Sequence, residues 1–141
     1  DSFDPARSHV VAVLIKRFVD AKEAGDESVA CWGSGSPERE CLFVDDAAEG
    51  IARFIVKGTP GLMNIGTGKG VSIRTIALKI AQAVGYKGRI DWDKSKPDGA
   101  KRKVLDIEHL RSTLKWEPKK CLDEGLRDTV AWYKANCSLE A

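Results

Sequence analysis

The chain has 141 residues, 43% of them hydrophobic and 31% charged, a composition ordinary for one soluble globular domain with its own core. A formal net charge of +2 gives no electrostatic case for nucleic acid, and no apolar stretch approaches the ~20 residues of a membrane span, so neither partner is expected. Cys31, Cys41, Cys121 and Cys137 form no C-x-x-C pair and stand far in sequence from His9 and His109, so no metal is expected, and reduced thiols in a cytoplasmic protein are the default.

The opening "DSFDPARSHVV" runs from loop straight into an apolar helix, with no start methionine and no preceding strand, and reads as a chain entered in its middle. Pro5 and Ser8 precede a helix over 10–25 that stops at Gly25. Its apolar face carries Val10, Val11, Leu14, Phe18 and Ala21, with Arg17 at the rim of that face. Val29 to Trp32 reads as a strand and Leu42 to Val44 as another. Asp46 and Glu49 have the spacing of an acidic capping box, opening a helix over 47–57. Pro60 and Gly61 make a turn, and Leu62 to Ile65 reads as a strand. Ser72 caps a helix over 73–84 whose Ile73, Ile76, Ala77, Ile80 and Val84 follow the 3.6 period. Arg89 to Trp92 is a strand, 93–103 a polar loop, and a short helix starts at Asp106. Leu122, Leu126, Val130 and Tyr133 mark a final helix, and residues 138–141 are a polar tail of the kind a cloning vector adds. Strands alternating with helices argue for an α/β fold: a small mixed sheet with about five helices.

Four stretches invite chemistry. "NIGTGKG", Asn64 to Gly70, has the look of a phosphate loop. Gly70 stands where G-x-x-x-x-G-K-[ST] needs a hydroxyl, and Val71 where G-x-G-x-x-G needs its third glycine, so a plain strand-to-helix turn is expected. "KSKPDGAKRK", Lys94 to Lys103, reads either as a solvated loop or as one that closes over a ligand, Asp98 accepting from ribose hydroxyls. His9, just ahead of a helix, is either a capping or packing residue or a neutral imidazole available for proton transfer.

The most specific stretch is "CWGSGSPERE", Cys31 to Glu40. An indole at a strand end offers a flat face on which a base can stack, and a guanidinium fork matches phosphate oxygens. Trp32 and Arg39 face each other across a glycine turn, with Arg17 in reach from the first helix. Together they suit a nucleoside diphosphate. The competing reading is a core tryptophan and a surface arginine paired to Glu38 or Glu40.

In order along the chain, "DSFDPARSHV", "WGSGSPERECLFVDD", "NIGTG", "VGYKGRIDWDKSKPDGAKRKVLD" and "CLDEGL" resemble the C-terminal part of the GDP-L-fucose synthases, in the extended short-chain dehydrogenase/reductase family. The resemblance implies that residues 1–137 are the substrate-binding portion of such an enzyme, without its main Rossmann domain, and that its ligand is a GDP-sugar. It also implies NADP as cofactor of the complete enzyme, with none bound by this portion. His9 matches the family's acid/base histidine beside the nicotinamide, a catalytic and cofactor-contacting position, while Arg17, Trp32, Arg39 and Asp98 match substrate-binding positions.

No Rossmann glycine motif and no Y-x-x-x-K occur in the chain, so hydride transfer by these residues alone is not expected. "CLFVDD" and the helix over 47–57 are expected to expose apolar surface that packs on the absent domain or drives self-association into a dimer or higher assembly. A non-enzymatic truncated module, or an oligomerised remnant of another nucleotide-sugar epimerase or dehydratase, is the alternative. RNA binding through Trp32 and the lysine-rich loop is a third.

Overall fold

A computed structural model describes residues 3, 4 and 7–137; the expected tail at 138–141 and Pro5 lie outside the described residues. The first helix, α1 (Val10–Ala24), buries Leu14, Ile15, Phe18 and Val19 on the face that the 3.6 period marks out. It stops where Gly25 turns left-handed at φ 74° and its amide reaches back to the carbonyls of Ala21 and Lys22, a conformation glycine adopts without steric cost. The chain then forms β1 (Ser28–Trp32), β2 (Glu38–Arg39), α2 (Val44–Lys57), β3 (Val71–Ser72) and α3 (Ile73–Val84). It ends in β4 (Arg89–Asp93), β5 (Arg102–Lys103), α4 (Glu108–Leu114) and α5 (Leu122–Asn136).

The α/β class and the five helices are as expected, but the sheet divides in two. β1 and β4 pair in parallel, with Trp32 opposite Asp93. The second sheet has the order β3-β2-β5, antiparallel on one side of β2 and parallel on the other. Phe18, Ile76, Ile80, Val84, Leu126 and Val130 of α1, α3 and α5 close over Val29 and Cys31 of β1 to form the main core. Ile107, Leu110 and Trp116 make a smaller core, joined by Met63 and Ile65.

Three expectations fail for physical reasons. Leu42 to Val44 is not a strand, because α2 already begins at Val44. Leu62 to Ile65 is not a strand either. There Met63 and Ile65 pack into the smaller core and the Asn64 amide donates to the Asp106 carbonyl, so side chains anchor this segment in place of a ladder. Asp46 does not cap a helix. It lies in the first turn of α2, buried, and its carboxylate accepts from the amides of Lys119 (3.2 Å) and Lys120 (2.8 Å). An acidic side chain there also suits the positive end of the helix dipole.

Ser72 does cap α3, accepting from the Thr75 amide. Before α5, Cys121 takes the capping place and Glu124 completes a reciprocal box. α2 is amphipathic and carries its apolar stripe outward. Val44, Ile51, Ile55 and Val56 are all exposed, Val56 at 87%. Among the described residues no helix is long and apolar enough to cross a membrane.

Candidate functional site

Side chains alternate across a strand, and in β1 Val29 and Cys31 take the buried phase. Trp32 must therefore point out, and it is 64% exposed at the strand's end. This overturns the reading of Trp32 as a core residue. Two cations stand over its ring. The Arg17 guanidinium carbon is 5.9 Å from the ring centroid and Lys96 Nζ is 5.7 Å from it. Each such contact contributes about 0.5–1 kcal/mol at an exposed site. Arg17 is also tethered, Nη1 donating to the Ala30 carbonyl at 3.1 Å.

The polar loop after β4 is pinned beside Trp32 at both ends. Where β4 ends, the Asp93 carbonyl accepts from the Gly33 amide at 2.9 Å and from the Lys96 amide at 3.2 Å. The Asp93 carboxylate accepts from the Ser95 hydroxyl and then its amide, which holds its pKa below the usual aspartate range. Further on, Asp98 grips the opposite loop. Its Oδ1 accepts from the Ser34 amide at 2.6 Å and its Oδ2 from the Ser34 hydroxyl at 2.7 Å. Those bonds, the amide's first, depress its pKa as well. A side chain at Gly33, which has φ 77°, would strike Asp98 Oδ1, so the latch requires glycine there.

Behind this latch the Arg74 guanidinium lies over the Trp92 ring at 4.5 Å and donates to the Ser34 carbonyl at 2.6 Å. Arg39 comes from β2. Its Nη1 donates to the Glu38 carbonyl (2.7 Å) and to the Ala100 carbonyl (2.9 Å). Arg39 is thus bonded to carbonyls, and Glu38 pairs instead with Arg102 at 2.8 Å. His9 takes the N-cap position of α1, is exposed, and makes no cap hydrogen bond with its side chain. Eight residues separate it from Arg17, about 12 Å along the helix.

The structure thus gathers Arg17, Trp32, Arg39 and Asp98 around one glycine turn and the loop facing it, and sets His9 at the far end of α1. Sequence reasoning missed Lys96, Ser34 and Arg74. The Ser34 contact with Asp98 spans 64 residues and its contact with Arg74 spans 40, distances at which periodicity carries no signal. The turn at Gly66 to Gly70 behaves as a structural turn, for a reason the motif tests did not contain. Its Thr67 and Gly68 amides both donate to Glu40 Oε1, while the Leu105 amide donates to Oε2 at 2.7 Å. An internal carboxylate already occupies the place a phosphate would take.

The family model described as GDP-mannose 4,6 dehydratase matches residues 3–129. GDP-L-fucose synthase 1 of Arabidopsis thaliana is 45% identical over 138 residues, covering 96% of this chain and 42% of the relative. GDP-L-fucose synthase of Escherichia coli K12 is 40% identical over 146 residues, covering 96% and 45%. Among solved structures, a GDP-6-OMe-4-keto-L-xylo-heptose reductase from C. jejuni superposes with a TM-score of 0.82 at 26% identity, covering 95% of this chain and 50% of that one. A GDP-L-fucose synthetase from Naegleria fowleri bound to NADP shares the fold, with a TM-score of 0.85 at 24% identity and coverage of 96% and 43%. The chain spans less than half the length of these curated relatives.

A depressed carboxylate pKa stabilises the latch above the ordinary value and loses that contribution as pH falls through the folded one. The Ser34 amide resonance should hold its position from neutral pH down past the ordinary aspartate value of 3.8 and move only below it. In Asp98→Ala it should start displaced and show no such transition. A midpoint at or above the ordinary value would contradict the latch.

Proposed function

The chain belongs to the GDP-mannose 4,6 dehydratase family, and from that premise we propose that it is the nucleotide-sugar-binding part of a GDP-sugar epimerase/reductase of the GDP-L-fucose synthase type. The observation that carries this reading is the exposed Trp32 ring, with Arg17 and Lys96 over it, joined through the Ser34–Asp98 latch and the adjoining loop to Arg39. A base stacks on Trp32. Arg17 and Arg39 each keep guanidinium N–H groups beyond those bonded to backbone, and these meet the diphosphate. Asp98 spends one lone pair of each oxygen on Ser34 and accepts from the ribose hydroxyls with the rest. His9, away from the base-binding end, serves as acid/base toward the sugar.

The described residues do not form a glycine-rich dinucleotide site. The glycine-rich turn has its amides filled by Glu40, and the chain contains no G-x-G-x-x-G. In this reading NADP is held by residues outside these 141, with His9 as the contact from this side, and hydride transfer requires that complement. The outward stripe of Val44, Ile51, Ile55 and Val56 on α2 is covered by the same complement or, in its absence, by self-association. Residues 1–137 form the substrate-binding portion.

Calorimetric titration with GDP, GDP-mannose and UDP-glucose tests the ligand. GDP and GDP-mannose should bind in preference to UDP-glucose. Trp32→Ala should weaken them about tenfold or more, from the lost stacking, and Arg39→Ala by a similar factor. Binding of none of the three would leave only a structural remnant and contradict the reading. Light scattering tests the apolar face: the chain alone should run as a dimer or larger, and a monodisperse monomer would refute self-association.

A further inference from the structure

We propose that Lys96 selects the base, its ammonium donating to the O6 and N7 acceptors of a guanine stacked on Trp32. The inference rests on the stacking site proposed above and adds the residue that reads what is stacked. Composition offers no such assignment, since the loop carries several lysines and stacking on an indole tolerates any base. Geometry separates Lys96 from the others.

Its backbone is fixed relative to the ring. Trp32 faces Asp93 in the parallel pair, and the Asp93 carbonyl holds both the Gly33 and the Lys96 amides. The next residue is Pro97, whose ring fixes φ, and the one after it is Asp98, latched to Ser34. Lys96 is therefore strapped between two anchors that are also the neighbours of Trp32. From there its Nζ reaches over the indole at 5.7 Å from the centroid. A base in contact with that face, at about 3.5–4 Å, displaces the ammonium toward its own edge, where hydrogen-bond acceptors lie.

Arg17, the other cation over the ring, is tied by Nη1 to the Ala30 carbonyl and has less freedom to follow a base edge. Lysine's ammonium is a compact point with three rotatable donors. Guanine presents two adjacent acceptors, O6 and N7. Adenine places an amino donor beside its N7, which opposes an ammonium. Uracil offers a single exocyclic acceptor on that side of a smaller ring. The device thus favours guanine over adenine most strongly and over uracil less.

The test is calorimetry on the whole chain with GDP, ADP and UDP as probes, for the wild type, Lys96→Ala, Lys96→Arg and Lys94→Ala. Lys94→Ala removes the same charge from the same loop. Lys96→Ala should lose about tenfold or more of the GDP-over-ADP preference, and Lys96→Arg should keep most of it. Lys94→Ala should lower all three affinities by one common factor. If Lys96→Ala also lowers all three by one common factor, Lys96 acts only as a charge and the assignment is overturned. Unchanged GDP binding in Lys96→Ala overturns it too, while leaving the stacking site standing. A wild-type chain that binds none of the three overturns the stacking site itself, and this assignment with it.

Discussion

The carboxylate of Glu40 joins three segments whose strand pairing is short. β2, β3 and β5 are two residues long each, too short for a ladder to be stable by itself. Glu40 follows directly on β2. One of its oxygens takes the Thr67 and Gly68 amides of the turn leading into β3, and the other takes the Leu105 amide just beyond β5. A charged acceptor satisfying three backbone donors reinforces those short strand pairs. The position of Arg39, next to Glu40 in the chain, follows from it.

Around that anchor the proposed nucleotide face is assembled from side chains tied to neighbouring segments. Arg17 is tied to the Ala30 carbonyl, Arg39 to the Ala100 carbonyl, and Asp98 to Ser34. Each cation is thus oriented by its backbone bond. Preorganisation of this kind reduces the entropy lost on binding. Arg74, over Trp92, supports the glycine turn from behind. Its role is to position Ser34, which in turn fixes the loop that carries Lys96.

Long elements were legible because each carries a full period of its own. The apolar spacing in α1 and α3, the glycine stops and the Ser72 cap all act locally, and the structure keeps them. Two-residue strands carry no period, so β2, β3 and β5 were invisible, and Leu62 to Ile65 looked like a strand because apolar residues buried by tertiary packing imitate one. Asp46 and Glu49 imitate a capping box, yet the backbone that Asp46 serves belongs to Lys119 and Lys120. In the proposed site, Trp32 and Arg39 flank one turn, as their spacing in the chain implies. Alternation along β1, with Val29 and Cys31 inward, already required the indole to face out. Lys96 had no comparable signal, because its place over Trp32 depends on which residue of β4 faces the end of β1.

At the centre of this account is a nucleotide base lying on Trp32. The direct measurement is an NMR titration of the labelled chain with GDP, following the indole N–H resonances of Trp32, Trp92, Trp116 and Trp132. The Trp32 resonance should shift, and the guanine H8 should show a nuclear Overhauser contact with the Trp32 ring, while buried Trp116 and exposed Trp132 stay in place. A response confined to Trp132, or saturable GDP binding that leaves Trp32 unmoved, would contradict it.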